Sequence, residues 1–324
     1  MVIRKISYYR VIVSLCLFMF LLSPVFGDEI SAVSFDKELP ENNIVTIQPD
    51  SLRILHNPLT GWVLYASMGV DAADFWAQYD HMYIPELGHN VSVTDYAHTL
   101  YIRASWTDFN PQEDVYGWKI DSNLRAYIEG AYQRNMRLAF RVVVDSRDKR
   151  TEFTPQFVKD AGAKGFMNKG KWSPYSDDSV FQKYYTKFVK ALAKDFNDPS
   201  KVEFIDGFGL GKWGEYHTMI YSTGDDTPKK AVFDWVTDIY SQAFDKVPVV
   251  INYHRWIGAG KDWVDDEHFA ADSEEMLEEA IKKGYSLRHD AFGMTTYYGS
   301  WERRFAKKYR NICPIIMEGG WIVK

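Results

Sequence analysis

Seven apolar runs recur along the chain, with amphipathic stretches between them. They are "GWVLYAS" (61–67), "HTLYIRASW" (98–106), "RLAFRVVVD" (137–145), "VEFIDGFGL" (202–210), "VPVVINYH" (247–254), "AFGMTTYY" (291–298) and "CPIIME" (313–318). They are continuous rather than alternating, as expected of strands buried on both faces of a parallel sheet. Between them lie stripes at helical spacing. Leu124, Tyr127, Ile128, Ala131 and Tyr132 form one, and Phe181, Tyr184, Tyr185, Phe188, Leu192 and Phe196 a second. Val232, Phe233, Val236, Ile239, Tyr240 and Phe244 form a third, and Asp272 with Glu275 resembles an N-terminal cap ahead of Met276, Leu277, Ala280 and Ile281. This strand-then-helix repetition predicts an α/β fold with right-handed crossovers.

No glycine-rich phosphate motif opens a helix after any of the runs. "GFGLG" leads into a tryptophan and a glutamate instead, so a nucleotide-binding doubly wound sheet is not expected. The polar and aromatic residues collect at the C-terminal ends of the runs, where (β/α)8 TIM-type barrels build their sites. Arg103 and Trp106, Asp145, Trp213 and Glu215, Asn252 and His254, Tyr297 and Tyr298, and Glu318 all lie there. Only six residues follow Glu318, too few for a crossover and an eighth strand. Either an N-terminal segment such as "IVTI" completes the sheet, or the chain is a piece of a longer protein. The second reading is adopted, giving a barrel incomplete at strand eight.

The N-terminus changes the picture from fold to destination. Arg4, Lys5 and Arg10 precede the apolar "VIVSLCLFMFLL" (11–22), and Val25 and Gly27 supply small residues before Asp28. That is the layout of a signal peptide, with an apolar run too short for a comfortable membrane span. The expected division is a signal peptide at 1–27, a leader or linker at 28–50 and a barrel domain at 51–324. The mature chain would be exported, periplasmic or surface-facing, and would keep only Cys313, so no intrachain disulfide can form. A net charge of −6 without a long basic block argues against nucleic acid or anionic membrane partners. Aromatic residues make up 16% of the chain, enough to serve both a core and sugar-stacking platforms.

Candidate chemistry centres on Glu215 and Glu318, each beside glycine and tryptophan after an apolar run. Glycoside hydrolysis needs two carboxyl groups flanking the scissile bond, one protonated and one ionised. Different strands let environment set their protonation apart. His217 and His254 read as hydrogen-bonded histidines. With Asp145 they could be metal ligands, but no H-x-H or H-E-x-x-H spacing supports this, and neither a metal nor a cofactor is expected. Arg103 could instead be the structural partner of Asp145 or Asp206. Arg141 is expected to be structural. The Trp172–Tyr175 stretch, within the polar segment 146–178, reads as a rim loop over the cleft or a surface excursion, and "DDEHF" (265–269) as a solvated face.

With glutamates at the ends of runs four and seven, the chain resembles the retaining glycoside hydrolases of the GH-A clan. The stretch "ASWTDFNPQEDVYGWKIDSNLRAYIEGAYQRNMRLAFRV" (104–142) is similar to their β-galactosidase-like members. "HNPLTGW" (56–62) and "GKWGEYH" (211–217) resemble a secreted bacterial family of unknown function grouped with those barrels. The resemblance spans roughly 55–322. It implies that Glu215 is the acid/base and Glu318 the nucleophile, with an oligosaccharide or polysaccharide as substrate. It further implies that Arg103 hydrogen-bonds the nucleophile, that Tyr297 or Tyr298 steadies it, and that Trp213 and Trp321 stack on sugars. The clan has asparagine just before the acid/base. Here Gly214 stands in that place, so Asn252 or His254 would have to contact the sugar instead. A non-catalytic glycan-binding barrel is the alternative function.

Overall fold

The computed structural model describes residues 62–66, 68–145, 147, 151–260, 270–294 and 297–319. The expected signal peptide and leader, the "IVTI" segment, the "DDEHF" run and Trp321 lie outside the described residues. The chain divides into two units, Met1–Arg53 and Ile54–Lys324, and everything below concerns the second.

Seven strands form one sheet: β1 Trp62–Tyr65, β2 Ala97–Ser105, β3 Arg137–Val143, β4 Val202–Asp206, β5 Val249–Asn252, β6 Ser286–Phe292 and β7 Ile315–Gly319. They pair in sequential order, and every pair is parallel. A helix lies in each crossover: α1 Ala72–Asp80, α2 Ser122–Gln133, α3 Ser179–Phe196, α4 Lys229–Ala243, α5 Ser273–Lys282 and α6 Ser300–Tyr309. This is the wall of a (β/α)8-type barrel, seven strands of which lie among the described residues.

The sheet is strongly curled. Flat, β2 and β6 would stand about 19 Å apart at the usual strand spacing. Yet the Arg288 guanidinium of β6 lies 5.1 Å from the Tyr101 ring centre on β2, and Tyr101 hydrogen-bonds Asp206 on β4. One small core fills the concave side, made of Tyr101, Ala139, Phe204 and Val250 with Ile316 packed against it. The large core lies outside, between sheet and helices. Strand alternation decides membership: Leu100, Ile102 and Ala104 of β2 join it, as do Leu138, Phe140 and Val142 of β3. A cavity of about 210 Å³ at the N-terminal end is lined from both edge strands, by Trp62 and Val63 of β1 and Ile316 and Met317 of β7.

The helical stripes are found where the spacing places them. On α3 the buried residues include Phe181, Tyr185, Phe188, Leu192 and Phe196, and Asp178 caps the helix by accepting from the Val180 and Phe181 amides at 3.0 and 2.9 Å. Asp272 does occupy the N-cap position of α5, but its side chain makes no capping bond. Its carboxylate pairs with Lys229 at 2.5 Å instead.

One predicted strand is misplaced. The sixth is not "AFGMTTYY" but "SLRHDAF", Ser286–Phe292, and Tyr297 and Tyr298 belong to the loop before α6. The reason is the concave face, where Arg288 and Asp290 alternate with outward Leu287 and give the strand a polar appearance. The polar stretch after β3 holds a short helix, Gln156–Asp160, and an antiparallel hairpin, Gly165–Asn168 with Lys171–Pro174. Trp172 is buried there.

Candidate active site

The loop after β4 explains the abrupt end of "GFGLGKWGEYHT". Gly209, Gly211, Trp213, Gly214, Tyr216 and Thr218 all have positive φ, between 51° and 74°. Trp213, Tyr216 and Thr218 are non-glycine residues in a region that L side chains rarely adopt, and such strain gathers at functional sites. A side chain at Gly209 would collide with the Val142 carbonyl and the Tyr185 hydroxyl, and one at Gly211 would meet the His217 carbonyl at 2.6 Å. The loop is pinned from within by Tyr216 N–H to the Leu210 carbonyl (2.9 Å) and Lys212 N–H to the His217 carbonyl (3.0 Å). Gly258 N–H adds a bond to the Tyr216 carbonyl at 2.7 Å. Glycines therefore let the backbone fold tightly against β3, and the product of that fold is the position of Glu215.

Glu215 keeps 12% side-chain exposure, and Arg141 Nη1 donates to it at 3.2 Å. Arg141 comes from β3, level with Arg103 on β2, and is fully buried. It also donates from Nε to Asp206 at 3.0 Å and from Nη2 to both oxygens of Asp290, at 2.7 and 2.9 Å. Arg288 on β6 ion-pairs with Asp290 and with Glu318, whose side chain is 34% exposed. Asn252 at the end of β5 donates to Asp290 at 2.9 Å. Arg141 thus joins Glu215 to Asp290, and Arg288 joins Asp290 to Glu318.

Four carboxyl groups, Asp206, Glu215, Asp290 and Glu318, thus gather around three guanidiniums, Arg103, Arg141 and Arg288. Full ionisation would leave an uncompensated negative charge in a desolvated place, so the cluster favours holding a proton. Burial, followed by the Asp290 charge, lifts Glu215 well above the usual carboxylate range. The same causes raise Glu318 to about 7. Burial also raises Asp206 to about 6, against the opposing pull of Arg141. The arrangement can deliver a proton from one carboxyl while another, more exposed one is ionised.

The histidines frame Glu215 as neutral rings. Trp256 N–H donates to His254 Nδ1 at 3.1 Å, which leaves Nε2 to donate to the Glu215 carbonyl at 2.8 Å. Burial depresses His254 to about 4. His217 Nε2 lies 3.4 Å from Glu215 Oε2, and burial, then His254, keeps His217 well below its ordinary value. Among the described residues, no group of three His, Cys, Asp or Glu is arranged to hold a metal ion.

Several expected site residues stand elsewhere. Trp106 is fully buried in the helix layer against Phe181, Tyr185 and Phe188, because it has the outward parity of Ile102 and Ala104. Arg103 does not donate to Glu318. Its bonds go to the Tyr65 hydroxyl (3.2 Å) and the Trp213 carbonyl (2.9 Å), and Arg288 takes the glutamate. Asp145 is held by Arg147 at 2.6 Å above the strand end. The Trp213 ring lies edge-on to His217 at 5.7 Å, with Lys212 Nζ 4.4 Å from its centre. Tyr298 packs on His289 at 4.8 Å, whereas the Tyr297 phenol is the one raised by the Glu215 charge after burial. Arg141, expected to be structural, links three of the four carboxyl groups. Arg288 and Asp290 went unread because the sixth strand was placed too late. The alternation in "SLRHDAF" was the available signal.

A cavity of about 1210 Å³ opens at the opposite end of the strands, beside Asp80, Thr94, His98, Arg134 and Arg137. Among the described residues, no helix is long and apolar enough to cross a membrane.

No protein-family model and no curated protein sequence matches this chain. Solved glycosidase structures share its outline at low overlap. Endogalactoceramidase has a TM-score of 0.43 at 12% identity, over 82% of this chain and 70% of that one. Endo-glycoceramidase II from Rhodococcus sp., as its lactosyl-enzyme intermediate, has 0.42 at 13%, over 80% and 72%. The intracellular xylanase TsXylA from Thermoanaerobacterium saccharolyticum has 0.41 at 9%, over 81% and 88%. At this overlap the likenesses add nothing to what strand order and side chains establish.

Proposed function

We propose that this protein is an exported retaining glycoside hydrolase acting on an oligosaccharide or polysaccharide. One observation carries the reading: Glu215 and Glu318, 103 residues apart in sequence, are joined at the C-terminal edge of the sheet through Arg141 and Arg288, which share Asp290. Paired glycosidase carboxyl groups work at separations of ~5–9.5 Å, the shorter end for retention. Glu215 is the more enclosed of the two and the better proton donor to a leaving oxygen. Glu318 is the more exposed and is paired with Arg288, which suits attack on the anomeric carbon. In the second step Glu215 takes a proton from the water that releases the sugar.

The test is a panel of aryl glycosides given to the wild type and to Glu215→Gln and Glu318→Gln. Glu215→Gln is expected to lose about 10²–10⁴ in kcat/KM on poor leaving groups, the usual weight of general acid catalysis, and far less on activated ones. Glu318→Gln is expected to lose turnover on both. A 2-fluoro glycoside should add its glycosyl mass to wild type and not to Glu318→Gln. Equal labelling of the two would sink the nucleophile assignment.

The same groups favour a second reading at one point. Glu318 is held by Arg288 and not by Arg103, and Gly214 offers no side chain to a sugar hydroxyl. A barrel that binds glycans without cleaving them would have that character. Calorimetric binding of a glycan that is recovered unchanged would favour it.

A further inference from the structure

We propose that Asp290 is a positioning residue of this site, the carboxylate that orders both guanidiniums and keeps a proton on the glutamates they also hold. The inference rests on the glycosidase reading above. Its basis is placement: Asp290 projects from β6 into the gap between the loop after β4 and the end of β7. Arg141 grips both of its oxygens at 2.7 and 2.9 Å, Asn252 adds a third bond at 2.9 Å, and Arg288 completes the set. Those donors use the accepting capacity of one carboxylate, so Asp290 is fully hydrogen-bonded where it stands.

The titratable and charged groups around it come from every neighbouring element. Arg103 stands on β2, Arg141 on β3, Asp206 on β4 and Arg288 beside it on β6. Glu215 and His217 come from the loop after β4, His254 from the loop after β5, and Glu318 from β7. Glu215 shares Arg141 with Asp290 and Glu318 shares Arg288 with it, so each glutamate would ionise beside an anion that already holds its cation, which favours a proton on the glutamate. Glu215, more enclosed than Glu318, holds it to higher pH. Asp290 therefore acts through the two glutamates and touches no reacting atom.

The experiment follows the carboxyl carbons of Glu215 and Glu318 by carbon-13 NMR across pH 4–10, in the full chain labelled at glutamate. Resonances are assigned with the two glutamine variants. In Asp290→Asn both midpoints are expected to move to lower pH. The alkaline limb of kcat/KM on a poor-leaving-group glycoside should move with them, costing roughly tenfold or more on its alkaline side, up to the full weight of the general acid. Unchanged midpoints overturn the proposal whether or not any glycoside is cleaved. Shifted midpoints without turnover on any substrate uphold it and count against the glycosidase reading alone. Should Asp290→Asn fail to fold by circular dichroism, Glu318→Gln decides. Glu215 is then expected to titrate still far above an ordinary carboxylate, and its return to the ordinary range would overturn the role given to Asp290.

Discussion

The two glutamates stand at the same edge of the sheet in unlike surroundings, one after the central strand β4 and one on β7. Glu215 sits in a loop with six positive φ values, backed by β3 on one side and two neutral histidines on the other. Glu318 ends an edge strand whose neighbours are open: Met317 is 39% exposed, and a side chain added at Gly319 would meet nothing within 4 Å. One carboxyl is placed by backbone that cannot relax, the other by a single arginine reaching over from β6. The difference teaches how a barrel obtains two carboxyl groups of unequal proton affinity. Among the described residues, a strained loop encloses Glu215, and one cation holds Glu318.

The largest way to break this contrast is to remove Arg141. It is fully buried and bonds Asp206, Glu215 and Asp290, so Arg141→Met leaves buried carboxyl groups without their cation. Breaking such a cluster from one side costs about 3–5 kcal/mol. Urea unfolding should show a loss of that size. A loss below about 1 kcal/mol would mean the cluster is wetter than its burial implies, since pairs open to water are worth no more than that.

A sharper contrast comes from adding one methyl at each end. Gly209→Ala must hold φ near +73° and push against the Val142 carbonyl and the Tyr185 hydroxyl, for an expected cost of about 1–3 kcal/mol. Gly319→Ala meets open space and should change stability by no more than about 0.5 kcal/mol. Chemical denaturation of both variants measures the difference. Equal costs would remove the claim that only the β4 end is rigidly built.

How far the chain could be read in advance follows from the same asymmetry. The outward faces of the strands carry the large core, so six of the seven strands were legible as apolar runs, and the stripes of α3 and α4 with them. Glu215 and Glu318 were legible because each follows such a run beside glycine and tryptophan. Arg141, Arg288 and Asp290 were harder to read for the opposite reason. They lie mid-strand on the concave face, where a charge interrupts the apolar pattern that marks a strand. Trp106 shows the converse error. Placed at the end of the second run, it reads as a site residue, but counting parity from Arg103 sends it outward into the helix layer. Partner choice among the arginines was not legible because the sixth strand was placed too late: Arg288 stands in register with Ile316 of the adjacent β7, two residues before Glu318 on the same face.

The smallest expected effect isolates the open end by pH. Glu318 is raised to about 7 in the folded chain, by burial first and Asp290 second, against ~4.3 for an unfolded glutamate. Between those values the unfolded chain gives up this proton first, so the folded state binds more protons and stability falls as pH rises. The contribution of protonated Glu318 is full below ~4.3 and lost as pH passes about 7. His254 and His289, depressed to about 4 and about 3 by burial, act with the opposite sign, gaining stability as pH climbs toward ~6.5. A single stability curve therefore mixes the two, and the difference between Glu318→Gln and wild type removes the histidines. That difference should favour the glutamine variant increasingly from pH 4 to pH 8, modestly because the side chain keeps 34% exposure and its charge is partly screened. A difference in melting temperature that stays flat across this range would place Glu318 among ordinary surface carboxylates, and the role proposed for Asp290 would lose one of its two glutamates.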